Sequence, residues 1–111
     1  MEISHYDKTP GTAVVTLAGK VMMGPECEQI ENLVDALLRQ GKRIIVFDVA
    51  GVTHIDSTGI GRFISSYHKV AAANSEMRMA GATGPLFHAF HVSLLDQVFR
   101  FYPDVDTASK A

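Results

Sequence analysis

The 111 residues carry ten basic and twelve acidic side chains, a formal charge of −2, with no basic block; this argues against a nucleic-acid binder, which usually shows a basic face. The length fits one domain, residues 1–111, and the lone cysteine, Cys27, excludes an internal disulfide and a cysteine-built metal cluster. No apolar run approaches the ~20 residues that cross a bilayer, and Met1–Tyr6 has no signal-peptide character, so the expectation is a cytoplasmic chain with no membrane partner.

In chain order, residues 2–6 form a candidate short strand, joined through Pro10-Gly11 turn chemistry to a second strand over 12–18 that Gly19 closes. A helix is expected from Pro25. Ile30, Leu33, Val34, Leu37 and Leu38 make one apolar face, Glu26, Glu28 and Glu31 crowd the start, and Gly41 stops it. Cys27 reads as a small apolar residue on this helix. Residues 43–49 contain the continuous apolar run Ile44–Phe47, the pattern of a strand buried on both faces.

After Asp56-Ser57-Thr58-Gly59 a second helix is expected, with Ile60, Phe63, Ile64, Tyr67 and Ala71 on one face and its end near Asn74. A short strand over 77–80 is closed by Gly81, and Pro85 opens a third helix. A last strand is expected over 98–101 and a short terminal helix over 104–110. The alternation predicts an α/β fold: a small, mixed, mostly parallel sheet of four or five strands flanked by about four helices.

The run Val52-Thr53-His54-Ile55-Asp56-Ser57-Thr58-Gly59-Ile60-Gly61 stands at the carboxyl end of a strand, where α/β sheets carry their ligand and control sites. Read locally, Asp56 or Ser57 is a good helix cap. Two features point further. Gly59 and Gly61 occupy the first turn of a helix, where glycine costs ~1 kcal/mol relative to alanine, so something is expected to approach the backbone closely. A hydroxyl at a helix N-terminus also stands where a phosphate is well received by free N–H groups and the helix dipole.

His54-Ile55-Asp56-Ser57-Thr58-Gly59-Ile60-Gly61, following Ile45-Val46-Phe47-Asp48, resembles the signature of STAS domains, specifically bacterial anti-sigma factor antagonists. Leu94-Leu95-Asp96-Gln97-Val98-Phe99 resembles that family's passage from helix to last strand. The resemblance implies a binding domain without catalysis of its own. It implies that Ser57 is phosphorylated by an anti-sigma factor that is also a serine kinase. The unmodified form would bind that kinase, the phosphorylated form would release it, and a phosphatase would reverse the change. The implied docking surface comprises Met22, Met23, Gly24, His54, Asp56, Ser57, Thr58, Gly59 and Gly61, with Arg62 at its edge. Many antagonists carry an acidic pair after the glycine of the second strand; here Lys20 and Met22 stand in its place. Weak self-association stays open, as does a second reading, a STAS scaffold or small-ligand or nucleotide sensor without reversible phosphorylation.

Enzyme readings fare worse. An aspartic protease turn reads Asp-Thr/Ser-Gly, and Thr58 interrupts it. A serine hydrolase elbow needs Gly where Ile55 stands. His88 and His91 share a helix face at a spacing of three, but two ligands do not make a metal site, and no metal or cofactor is expected. Gly81-Ala82-Thr83-Gly84-Pro85 precedes a helix but lacks the lysine and spacing of a phosphate-binding loop.

Overall fold

The computed structural model describes residues 1–111. Its elements are β1 (Glu2–Thr9), β2 (Thr12–Val21), a 3-10 turn (Pro25–Glu28) leading into α1 (Gln29–Arg39), β3 (Ile44–Ile55), α2 (Ser57–Ala72), β4 (Glu76–Ala80), α3 (Gly84–Val92), a 3-10 turn (Leu95–Gln97), β5 (Arg100–Tyr102) and α4 (Val105–Lys110). The strands lie side by side in chain order. β1 and β2 form an antiparallel hairpin and all later neighbours are parallel. The expected α/β sandwich of a small mixed sheet and four helices is therefore the fold.

The two-residue period of a strand sends alternate side chains to opposite faces, and this sheet buries both unequally. Ala13, Val15, Leu17, Ile45, Phe47, Val49, Met77 and Met79 face one way, into the main core beneath α1, α2 and α3. There Phe63 of α2 sits edge-on between Phe47 and Phe90, at ring-centroid distances of 5.3 and 5.6 Å, a geometry aromatic pairs favour. Val14, Val46 and Ala80 face the other way and are covered by Ala108 of α4. Two polar links hold α4 there: Asp106 pairs with Lys8 of β1, and the buried Arg78 of β4 donates to the Ala108 carbonyl at 2.8 Å.

Several boundaries differ from the sequence reading. Gly19 does not close β2: the strand runs on to Val21 through Gly19 at φ 85°, a left-handed value that glycine tolerates. β3 likewise continues six residues past Val49, because its second half pairs with the extension of β2, Lys20 opposite His54 and Val21 opposite Ile55. The helix expected at Pro25 starts as a 3-10 turn and becomes α-helical only at Gln29. The last strand begins at Arg100 rather than 98, since Val98 and Phe99 both donate to the Leu95 carbonyl in the preceding turn.

Candidate functional site

β2 and β3 run parallel past the end of β4, which stops at Ala80 opposite Asp48, and finish together at the carboxyl edge of the sheet, at Val21 and Ile55. The site is built on that edge. Asp56 follows β3 in extended conformation (φ −117°) and caps α2: Oδ1 accepts from the Gly59 N–H at 2.9 Å. Its second oxygen does something the cap pattern does not disclose. Oδ2 accepts from the Met23 N–H at 2.9 Å, 33 residues away in sequence. One carboxylate thus ties the start of α2 to the loop that follows β2.

These backbone donors, Gly59 first and Met23 second, hold the Asp56 carboxyl below its ordinary value of 3.8. A carboxyl lowered in the folded state contributes stability that is present above its unfolded value and disappears as pH falls through its folded value. Asp56→Ala is therefore expected to melt at a lower temperature than the wild type at neutral pH, with the gap closing on acidification below about pH 3.8. Thermal melts of the two proteins across pH check this; a gap independent of pH contradicts it.

Ser57 is the first residue of α2, and its side chain is exposed beside this brace. A phosphate there would add roughly 1.5 to 2 negative charges at neutral pH, next to the ionised Asp56. Met22 is 40% and Met23 80% exposed, so neither fills the core. Together with Lys20, Gly24, Cys27 and Asp56 they line an open depression of about 440 Å³. A smaller one, about 210 Å³, runs from Met22 past His54 to Pro85 and Ala89 of α3. His54 is exposed, its ring bonded to the Thr53 hydroxyl at 3.0 Å. Lys20 and His54 are neighbours across β2 and β3, while Glu26 and Asp56 line the same depression as Lys20, so the rim beside the methionines is polar and of mixed charge.

Two residues of the expected docking surface, Gly59 and Arg62, have work inside the fold. Gly59 is buried, and a Cβ there would lie 2.2 Å from the Val21 carbonyl oxygen. The close approach expected at this glycine is made by the chain's own β2, not by an outside molecule. Gly61 has open space where its Cβ would stand, so the two glycines have different origins. Arg62 is less free than its place in the sequence implied: Nη1 pairs with Glu31 of α1 at 2.9 Å and Nη2 lies 3.9 Å from Glu28. It braces α1 against α2 beside the buried Cys27, whose thiol pKa is pushed up by burial and drawn partly back by Arg62. Thr58 is half-buried next to Ser57.

The remaining sequence candidates lie elsewhere. His91 pairs with Asp96 at 2.7 Å and stacks on Phe87, while His88 is exposed on the same helix. In the Gly81–Pro85 loop, Gly81 takes φ 81° where a Cβ would meet that of Ala50 at 2.9 Å. That glycine serves a tight passage between β4 and β3.

No curated protein matches the chain. Solved structures do. An anti-sigma factor antagonist from Mycobacterium paratuberculosis shares 22% identity over 98% of this chain and 92% of that one, with a TM-score of 0.79. The Bacillus cell fate determinant SpoIIAA, solved in its phosphorylated form, shares 17% identity over 98% of both chains, TM-score 0.76. A sulfate transporter family protein from Wolinella succinogenes shares 15% identity over 88% of this chain and 81% of that one, TM-score 0.79. At these identities the likeness concerns the fold, and the fold is common to binding proteins and transporter domains alike. The family model for the STAS domain matches residues 5–108. With that match spanning nearly the whole sheet and all four helices, the chain belongs to the STAS domain family.

Proposed function

We propose that this protein is an anti-sigma factor antagonist whose binding is switched by phosphorylation of Ser57. The observation that carries the reading is the placement of Ser57: an exposed hydroxyl at the first position of α2, one residue from a carboxylate that also holds the Met23 loop. A kinase reaches such a hydroxyl without unfolding anything. The modification changes the charge of a surface whose apolar part, Met22 and Met23, is already displayed. Large flexible thioethers beside a polar rim suit a protein partner, since methionine adapts its shape to apolar contacts.

In this reading the unmodified protein binds an anti-sigma serine kinase and thereby frees a sigma factor. The kinase supplies ATP and transfers the phosphate, the domain itself catalyses nothing, and a phosphatase restores it. The setting is the bacterial cytoplasm. The likeness to SpoIIAA in its phosphorylated form supports the same assignment. The likeness to a sulfate transporter family protein favours the second reading, a STAS module that works by docking without phosphate.

Mass spectrometry of the protein isolated from its own cells separates the two. Phosphate on the peptide containing Ser57, absent from Ser57→Ala protein, is the expected result. An unmodified Ser57 peptide under conditions where the partner is both bound and released overturns the switch.

A further inference from the structure

The loop that displays Met22 and Met23 leaves β2 at Val21 and enters the 3-10 turn at Pro25. Gly24 takes φ 153°, a value L side chains rarely adopt, with open space where a Cβ would stand. Between those ends the loop has two hydrogen bonds. The Gly24 carbonyl accepts from the Cys27 N–H at 3.2 Å, which belongs to the turn that follows. The Met23 N–H donates to Asp56 Oδ2 at 2.9 Å. Only the second bond reaches another part of the fold.

On the other side of that bond the geometry is fixed. Gly59, whose N–H donates to Oδ1, is buried against the Val21 carbonyl, and the Asp56 N–H donates to the same carbonyl at 3.4 Å. The carboxylate thus stands on an anchored base and holds a loose loop. It can do both because each of its oxygens accepts; an asparagine amide has a single acceptor oxygen and could cap α2 or hold Met23, not both.

We infer that Asp56 is the positioning residue of the docking surface: through the Met23 N–H it presents Met22 and Met23 to the partner, and negative charge on Ser57 acts on binding in part by loosening that hold. The inference rests on the reading of Ser57 as the switch. A phosphate on Ser57 stands one residue from Asp56 and draws on the same free N–H groups at the start of α2. Two anions this close repel, and water and salt reduce the repulsion without abolishing it. The bond to Met23, which has an exposed loop on its far side, gives way before the cap on the buried Gly59 does.

Amide hydrogen exchange of the protein alone, and titration calorimetry with the anti-sigma kinase, test this on wild type, Asp56→Asn and Ser57→Asp. Asparagine is a good helix cap, so in Asp56→Asn the Gly59 amide should keep its protection. The Met23 amide should exchange about tenfold faster and kinase binding should weaken about tenfold, the loss of one bond to a charged acceptor. Ser57→Asp should speed Met23 exchange about threefold with Gly59 unchanged. Unchanged Met23 exchange in Asp56→Asn overturns the positioning role, as does kinase binding that holds while that exchange rises. Unchanged Met23 exchange in Ser57→Asp overturns the route from Ser57 to the loop. A Ser57 that carries no phosphate in the cell is a separate failure. It removes the Ser57 half of the inference and leaves the hold of Asp56 on Met23 to be decided by the exchange rates, which need neither kinase nor phosphate.

Discussion

On the proposed function, Ser57→Asp protein is expected to bind its anti-sigma kinase about 100-fold more weakly than wild type, a loss of roughly 2.7 kcal/mol. The added carboxylate would stand at the first position of α2, beside the ionised Asp56, in a surface that the partner must desolvate. A charge placed in an interface without a partner costs more than the removal of an ordinary contact. Helix-terminal aspartate does not oppose the fold, because the N-terminus of α2 receives negative charge well. The melting temperature should therefore hold while binding falls. Ser57→Ala removes only a small exposed hydroxyl, so it should bind like wild type and stay bound when ATP is present. Titration calorimetry with the kinase, with and without ATP, reads all three proteins. Equal binding of Ser57→Asp and Ser57→Ala would remove Ser57 from the switch.

The second large effect belongs to stability, and its sign runs against helix propensity. Gly59→Ala should cost about 3 kcal/mol, since the new methyl is driven against a backbone carbonyl in a packed region that does not yield easily. The clash is with Val21, at 2.2 Å, and with Ile55 Cγ1, at 2.9 Å. For a chain of this length that is a fall in melting temperature of roughly 12 °C. Gly61→Ala, two residues later, meets nothing within 4 Å. There alanine should follow its intrinsic preference and stabilise by about 0.5 to 1 kcal/mol. Calorimetric melts of the two variants check the pair; two effects of the same sign contradict the geometry. Gly61→Ala also probes docking cleanly, since a weakened complex from a stabilised protein locates the partner at that turn.

What the sequence disclosed follows a physical division. Local patterns were legible: the apolar stripe Ile30 to Leu38 of α1, the buried run Ile44 to Phe47, and the cap before α2. The second half of β3 was not, because Ala50-Gly51-Val52-Thr53-His54 lacks a continuous apolar run. It is a strand because β2 continues past Gly19 to pair with it. The site divides in the same way. The position of Ser57 at a helix start could be read from neighbouring residues. The bond from Met23 to Asp56 spans 33 residues, and Arg62 finds its acid in a different helix. No local pattern encodes such contacts. The first-turn glycine at 59 did signal a close approach, but a sequence names the vacancy and not its neighbour, which is the end of β2.

The order of the strands has a consequence for how the molecule is made. Because the sheet runs β1-β2-β3-β4-β5 in chain order, each new strand adds to an outer edge and none must insert between two that are already paired. As synthesis proceeds from the N-terminus, every emerging helix–strand unit meets a finished edge on which to grow. Each step closes only the connection between consecutive strands, and the entropic cost of closure grows slowly with its length. Assembly on the ribosome can thus follow translation, with the Ser57 turn in place once the third strand docks and α4 added last as the clasp on the far face.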